Sequence, residues 1–114
     1  MIYVVNSANR HRFTVLLDAM YRDRKRIFVD RLKWNIPVVD GIYEMDQFDT
    51  DDAIYLIASD SDAKQHLGSV RVLPSKRPHL LGSLFPYLCE AGVPAGDDIS
   101  EITRLCTSPE GARQ

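Results

Sequence analysis

The chain has 114 residues, a formal charge of -2 and 45% hydrophobic residues. That length supports one core but not two, so residues 1–114 read as a single domain, and the composition excludes a disordered chain. A near-zero net charge excludes both a basic nucleic-acid clamp and an acidic tail, yet the charge is segregated. Residues 1–37 hold 8 basic and 3 acidic side chains, 38–62 hold 0 and 8, and 63–114 hold 6 and 5.

Met1-Ile2-Tyr3-Val4-Val5 lacks the charged and apolar regions of a secretory signal, and no apolar run approaches the about 20 residues of a membrane span. A cytoplasmic protein with no membrane partner is expected. Ile2 to Val5 reads as a short strand, stopped by Asn6-Ser7-Ala8-Asn9, whose side chains suit a helix cap. Phe13, Leu16, Leu17, Met20, Ile27 and Phe28 then recur at helical spacing, predicting one long or two short helices over residues 9–32. Residues 35–52 contain Pro37, Gly41 and 6 acids, and read as an exposed loop. Strands are predicted over 53–58 and 67–73 as a hairpin-like pair, a short helix near Leu84-Phe85, and a last strand over 99–106. This order predicts an α+β domain with helices packed on a mostly antiparallel sheet.

Cys89 and Cys106 have neither a disulfide framework nor zinc-ligand spacing and are expected as buried small hydrophobes. His11, His66 and His79 show no paired-ligand spacing, so no metal is expected.

Several polar residues fall among apolar ones. Arg24 sits four residues from Met20 and from Phe28, inside the apolar stripe, which suits a snorkelling side chain at its edge or an inward one. Trp34 suits a core anchor. Asp46 and Asp49 lie in Glu44-Met45-Asp46-Gln47-Phe48-Asp49, where the aromatic and the thioether suggest that part of an otherwise solvated loop docks on the body. Arg71, between Val70 and Val72, is free to face water. Glu101 and Arg104 stand at an odd offset on the last strand, so a shared site needs a bulge or twist there.

As a set these residues carry a pattern. Arg24-x3-Phe28-x5-Trp34, Glu44-x-Asp46-x2-Asp49, Arg71 in Ser69-Val70-Arg71-Val72-Leu73-Pro74, Leu84-Phe85-Pro86-Tyr87 and Glu101-x2-Arg104 resemble the acyl-homoserine-lactone synthases, the LuxI-type autoinducer synthases. The resemblance runs in order over nearly the whole chain. It implies a GNAT-like N-acyltransferase fold and a reaction between S-adenosylmethionine, as substrate rather than cofactor, and an acyl thioester on acyl carrier protein. The methionine amine attacks the thioester carbonyl. The methionine carboxylate then displaces methylthioadenosine and closes the lactone, a quorum-sensing signal.

Chemistry suggests roles within that resemblance. Glu101 is the candidate base for the amine, and backbone N–H groups near the last strand suit the developing oxyanion. Asp46 and Asp49 suit the cationic groups of S-adenosylmethionine, Phe28 and Trp34 its sulfonium or adenine, and Arg24 or Arg104 its carboxylate. Arg71 either joins this binding set or pins the acidic loop by pairing with Asp46 or Asp49. The remaining basic side chains of the first 37 residues suit docking of an acidic carrier protein.

Family members continue with further strands and helices, whereas this sequence reads as an N-terminal half ending shortly after its fourth main strand, with a turn-rich tail over 107–114. Little or no lactone formation by the chain alone is therefore expected. Two alternatives remain: another GNAT-fold acyltransferase using acyl-CoA, which the missing Q/R-x-x-G-x-G/A run after Cys106 disfavours, and a non-catalytic relative.

Overall fold

The computed structural model describes residues 1–77, 79–84, 87, 91–96 and 99–112, with the backbone alone at Leu80, Glu110 and Ala112. Strand β1 (Ile2–Val5) leads through a 3-10 turn at Arg10–Arg12 into helix α1 (Thr14–Arg24). The chain continues as a wider π-helical turn over Lys25–Arg31. Asn6 and Asn9 act as the polar stop expected after β1. Asn6 Oδ1 accepts the Ala8 and Asn9 amides, and Asn9 Oδ1 accepts the Asn6 amide at 2.8 Å. Their bonds close the turn and leave α1 without a side-chain cap. The predicted helix over 9–32 is thus three windings in series, and its π-helical end brings the Trp34 amide to the Phe28 carbonyl at 2.8 Å.

Strands β4 (Ile54–Ser59), β5 (His66–Pro74) and β6 (Ser100–Thr107) follow, with a short helix α2 (Leu80–Leu84) before β6 and α3 (Pro109–Ala112) after it. The main sheet has the order β1-β4-β5-β6 and is antiparallel throughout. Helix α1 packs on one face. Val5, Leu16, Leu17, Met20, Tyr21, Phe48, Ala53, Tyr55, Ile57 and Leu73 form the core between them. Strand alternation supplies this directly, since Tyr55, Ile57 and Ser59 are buried while Leu56 points away. The expected α+β, mostly antiparallel, GNAT-like class is the observed one. The tail expected as turns is instead helical over Pro109–Ala112.

The opposite face of the sheet carries Ile2, Val4, Leu56, Ile102 and Leu105, all exposed. Val4 pairs with Leu56 and Leu56 with Val70, so the apolar side chains run across neighbouring strands.

The acidic segment departs from the exposed loop expected of it. It holds a two-stranded ribbon, β2 (Val38–Val39) with β3 (Tyr43–Glu44). Asp40 and Gly41 take φ of 53° and 73° in its turn, the left-handed pair that a tight hairpin needs and that an Asp-Gly sequence supplies. Beyond the ribbon, Glu44 and Phe48 are buried. Phe48 joins the core and draws the neighbouring carboxylates inward with it.

Two irregularities aim polar side chains at the helix-covered face. Between β5 and β6, Ser69 pairs with Cys106 but Arg71 with Thr103, leaving Arg104 and Leu105 together opposite Val70. Arg104 adopts φ 54° in this bulge, so it turns to the same face as Glu101 and Thr103 instead of alternating away. At the other end of β5, a shift between Ala58 and Ser59 pairs Ser59 with His66 and puts His66 on the buried face with Ser69. Cys106 is buried as expected, and burial pushes its thiol up to about 11. Cys89, with Phe85 and Pro86 of the sequence pattern, lies outside the described residues.

Candidate active site

Three guanidiniums and three carboxylates from four elements meet at the end of α1. Arg24 donates Nε–H to Glu44 Oε1 at 2.8 Å and grips Asp49 with both terminal nitrogens at 2.9 Å. Arg71 donates to the two oxygens of Asp46 at 2.6 and 3.2 Å and to Thr103 Oγ1 at 3.0 Å. It also stands 3.2 Å from Asp49 Oδ2. Arg104 reaches Glu44 Oε1 and Asp46 Oδ2, both at 3.0 Å. The acidic loop is pinned further by its own backbone, since the Asp46 amide bonds to Asp49 and the Phe48 amide to Asp46.

Arg24 and Arg71 are each 1% exposed and Glu44 0%, burial that charged groups reach only when paired. Burial opposes the Arg24 charge, but the Asp49 and Glu44 carboxylates outweigh it and hold its pKa above the ordinary arginine value. Asp49 is the mirror case. Burial pushes its carboxyl up, and the Arg24 fork followed by the Arg71 charge overcomes this and holds it well below the usual carboxylate range. Tyr55 adds a 2.7 Å bond to Asp49 and receives one from Tyr21 at 3.0 Å. Burial and then the Asp49 charge raise the Tyr55 phenol above its ordinary value.

Above this cluster the rings of Phe28 and Trp34 stack at 4.7 Å with an interplanar angle of 20°. The Arg104 guanidinium lies 5.8 Å from the Phe28 ring centre and 5.9 Å from that of Trp34, a cation–π arrangement. Phe28 is buried and Trp34 is 44% exposed, so the ring pair forms the boundary between cluster and solvent. Arg104 bonds through Nε and one terminal nitrogen, and its Nη1 meets none of the described residues.

Seven of the eight residues singled out in the sequence thus form one contiguous site: Arg24, Phe28, Trp34, Asp46, Asp49, Arg71 and Arg104. Of the two readings open for Arg71, the structure makes the loop-pinning pair. Arg24 is not a snorkelling edge residue, because Asp49 and Glu44 hold it inside. Glu101 shares the β6 face but stands outside the ion cluster, its Oε2 accepting the Leu81 amide at 2.8 Å. Glu44, part of the sequence pattern but given no role there, is the hub shared by Arg24 and Arg104. Thr103 and Tyr55 went unselected as well, although strand alternation places both on the buried face.

Oxygens of Glu44, Asp46 and Asp49 lie within 4.8 Å of one another, a spacing that a metal ion could use. Three guanidiniums already balance their charge and take their lone pairs, so the donor set does not fit a cation. Glu44 Oε2 is the exception, a buried oxygen without a hydrogen-bond partner among the described residues.

Residues 8–114 match the family model described as autoinducer synthase. The acyl-homoserine-lactone synthase of Ralstonia nicotianae is 38% identical over 97 residues, covering 83% of this chain and 47% of that protein. The isovaleryl-homoserine lactone synthase of Bradyrhizobium diazoefficiens is 30% identical, covering 91% and 47%. Among solved structures, MesI, a CoA-dependent acyl-homoserine lactone synthase, superposes with a TM-score of 0.87 at 31% identity, covering all of this chain and 57% of its own. BjaI, a CoA-dependent synthase solved with SAM and isopentyl-CoA, gives 0.87 at 29% identity, covering 96% and 52%. The chain spans about half the length of these relatives. It belongs to the autoinducer synthase family.

Proposed function

We propose that this chain carries the S-adenosylmethionine-binding part of an acyl-homoserine-lactone synthase. The observation that carries this reading is the convergence of Arg24, Arg71 and Arg104 with Glu44, Asp46 and Asp49 beneath the Phe28–Trp34 pair, in a chain whose relatives are named as such synthases. Arg104 is the arginine best placed for the methionine carboxylate, having at the rim of the cluster an Nη1 that no described residue bonds, whereas Arg24 is committed on every side. The exposed Trp34 face receives the adenine or sulfonium, and Asp46, at the rim with Arg104, faces the cationic groups. Arg71 and Asp49 hold the loop in place.

The acyl donor is a thioester. A carrier protein is the donor expected from the family resemblance, and the basic side chains around α1 would receive it. Several of these have acidic partners nearby: Arg22 meets Asp18, Lys25 meets Asp30 and Arg10 meets Asp51. Acyl-CoA is the second reading, favoured by the superposition on two synthases named as CoA-dependent. In both, the amine nitrogen bonds to the thioester carbon, the thiol leaves, and the carboxylate then displaces methylthioadenosine.

The test is calorimetry of the purified chain with S-adenosylmethionine, followed by mass spectrometry for lactone and methylthioadenosine with acyl carrier protein and acyl-CoA donors in parallel. Saturable heat is expected, and its absence overturns the reading. Product from one donor alone names the donor.

A further inference from the structure

Arg26 stands where three cavities meet beside α1 and its π-helical extension. The largest of the three, about 360 Å³, is lined by Arg22, Asp23, Arg26, Lys64, Gln65 and His66. A second shares Arg22 and Arg26 and adds Lys25. A third shares Asp23 and Arg26 and adds Arg31.

The 360 Å³ cavity is rich in donors and poor in acceptors. Its three cationic side chains face one carboxylate, and that carboxylate is already engaged. Asp23 Oδ1 pairs with Arg26, and Asp23 Oδ2 lies 2.7 Å from His66 Nδ1. Arg22 bonds Asp18 through Nε and Tyr43 through Nη2, which leaves Nη1. Lys64 Nζ meets none of the described residues, and Gln65 adds a side-chain amide. Such a lining is complementary to a phosphate, which brings negative charge and several acceptor oxygens.

The donors are also held in advance. Asp23 is 5% and His66 2% exposed, so the carboxylate that fixes Arg26 is itself fixed by a buried ring. Lys64 and Gln65 project from a turn in which both of their amides bond Asp60 Oδ1, at 3.0 and 3.2 Å. Side chains on such supports lose less freedom when they close on an anion. The cavity flanks the ion cluster without belonging to it, because Asp23 and Arg24 are consecutive in α1 and a helix turns about 100° per residue. A ligand with its anion at Arg26 and its reacting group at the cluster must reach around the helix. A flexible arm does this, and both acyl donors considered above carry their phosphate at the far end of a pantetheine arm.

Resting on the reading of the chain as part of a lactone synthase, we propose that Arg22, Arg26 and Lys64 form the phosphate-binding site for the acyl donor. The group recognised is the phosphate that ends the pantetheine arm, whether it belongs to CoA or to the prosthetic group of a carrier protein.

The experiment is calorimetry of the purified chain at low ionic strength with CoA, 4′-phosphopantetheine, pantetheine and inorganic phosphate, beside the S-adenosylmethionine titration. Saturable heat is expected with CoA and 4′-phosphopantetheine and none with pantetheine, which keeps the arm and lacks the phosphate. CoA binding about tenfold or more tighter than 4′-phosphopantetheine assigns the site to CoA thioesters, and equal binding assigns it to the arm that both donors share. Arg26→Gln and Lys64→Gln are each expected to weaken binding about fivefold or more, the scale of a hydrogen bond to a charged group. Lys64→Gln leaves every side-chain bond of the fold in place, so its loss reads the site alone. Arg77→Gln, which removes the same charge at another cavity, is expected to bind as the wild type does. The proposal is overturned by absence of heat with both phosphorylated compounds, by equal binding of pantetheine or of inorganic phosphate, or by an equal loss in Arg77→Gln. Wild-type affinity in Arg26→Gln and Lys64→Gln overturns it as well. Each of these results leaves the proposed function standing if S-adenosylmethionine still gives saturable heat. Absence of that heat overturns the proposed function and this assignment with it.

Discussion

Arg24 and Arg104, from opposite ends of the chain, donate their Nε–H groups to one oxygen of Glu44, at 2.8 and 3.0 Å. Helix α1 and the bulge of β6 are therefore joined through a side chain that belongs to neither, delivered by the β2–β3 ribbon. Each guanidinium has a second carboxylate, Asp49 for Arg24 and Asp46 for Arg104. The network is closed, and removing one member leaves its partners charged and buried.

Glu44→Ala tests that closure. Breaking a buried ion pair from one side costs about 3 kcal/mol or more, so urea unfolding is expected to show a midpoint shift of that scale with an unchanged slope. A loss below about 1 kcal/mol contradicts the picture of a shared hub.

Acid stability separates two groups. The Asp49 carboxyl titrates lower in the folded chain than in the unfolded one, so its stabilising contribution is complete above about pH 4 and disappears as pH falls through the folded value. Urea unfolding between roughly pH 4 and pH 2 is expected to show this slope in the wild type and a flatter one in Asp49→Asn. The variant is also expected to be weaker at neutral pH, since Arg24 loses its fork.

His66 governs a higher window. Its Nδ1 lies 2.7 Å from Asp23 Oδ2 and its Nε2 2.8 Å from Ser69 Oγ, in a buried chain from α1 to β5. Burial, then the nearby Arg26 and Arg24 charges, lower it from 6.5 to about 4 despite the Asp23 bond. The unfolded chain takes up a proton that the folded chain refuses, so stability falls as pH drops from about 6.5 and levels off below about 4. The loss is on the order of 3 kcal/mol by the gap in titration points. His66→Gln is expected to flatten this upper window and leave the lower one. An unaltered slope between pH 6.5 and 4 refutes the assignment.

The apolar outer face gives a fourth expectation. Ile102 and Leu105 are 70% and 72% exposed, so Ile102→Lys with Leu105→Lys is expected to reduce binding of a hydrophobic dye and scattering on concentration. Neither change touches the buried face, and stability should move by no more than about 0.5 kcal/mol per site.

The sequence made the scaffold legible and the acidic segment in part: Met45 and Phe48 signalled the docking that Phe48 makes, while the ribbon and the depth of the carboxylates went unread. Leu16, Leu17 and Met20 announced α1 by their helical spacing, and the continuous apolar run from Ala53 to Ala58, closed by the polar turn that follows it, announced β4. Residues 35–52 read as solvated because their partners, Arg24, Arg71 and Arg104, are distant in sequence, and pairing across such distances leaves no local period. The Asp40–Gly41 turn was the signal available and went unused. The odd offset of Glu101 and Arg104 called for a bulge or twist if the two were to share one face, and the structure has the bulge, although Glu101 stays outside the ion cluster. Nothing local foretold the second irregularity, which turns His66 towards Asp23 and Ser69.

Trp34 is the chain's one tryptophan, and it stacks on Phe28 with the Arg104 guanidinium 5.9 Å from its ring centre. Its emission therefore comes from the rim of the ion cluster and from nowhere else in the molecule. Excitation selective for indole makes the protein its own optical probe: a ligand that displaces Arg104 or covers the exposed ring face changes intensity and wavelength without any label. Unfolding elsewhere registers only if it reaches the junction of α1 with the β6 bulge.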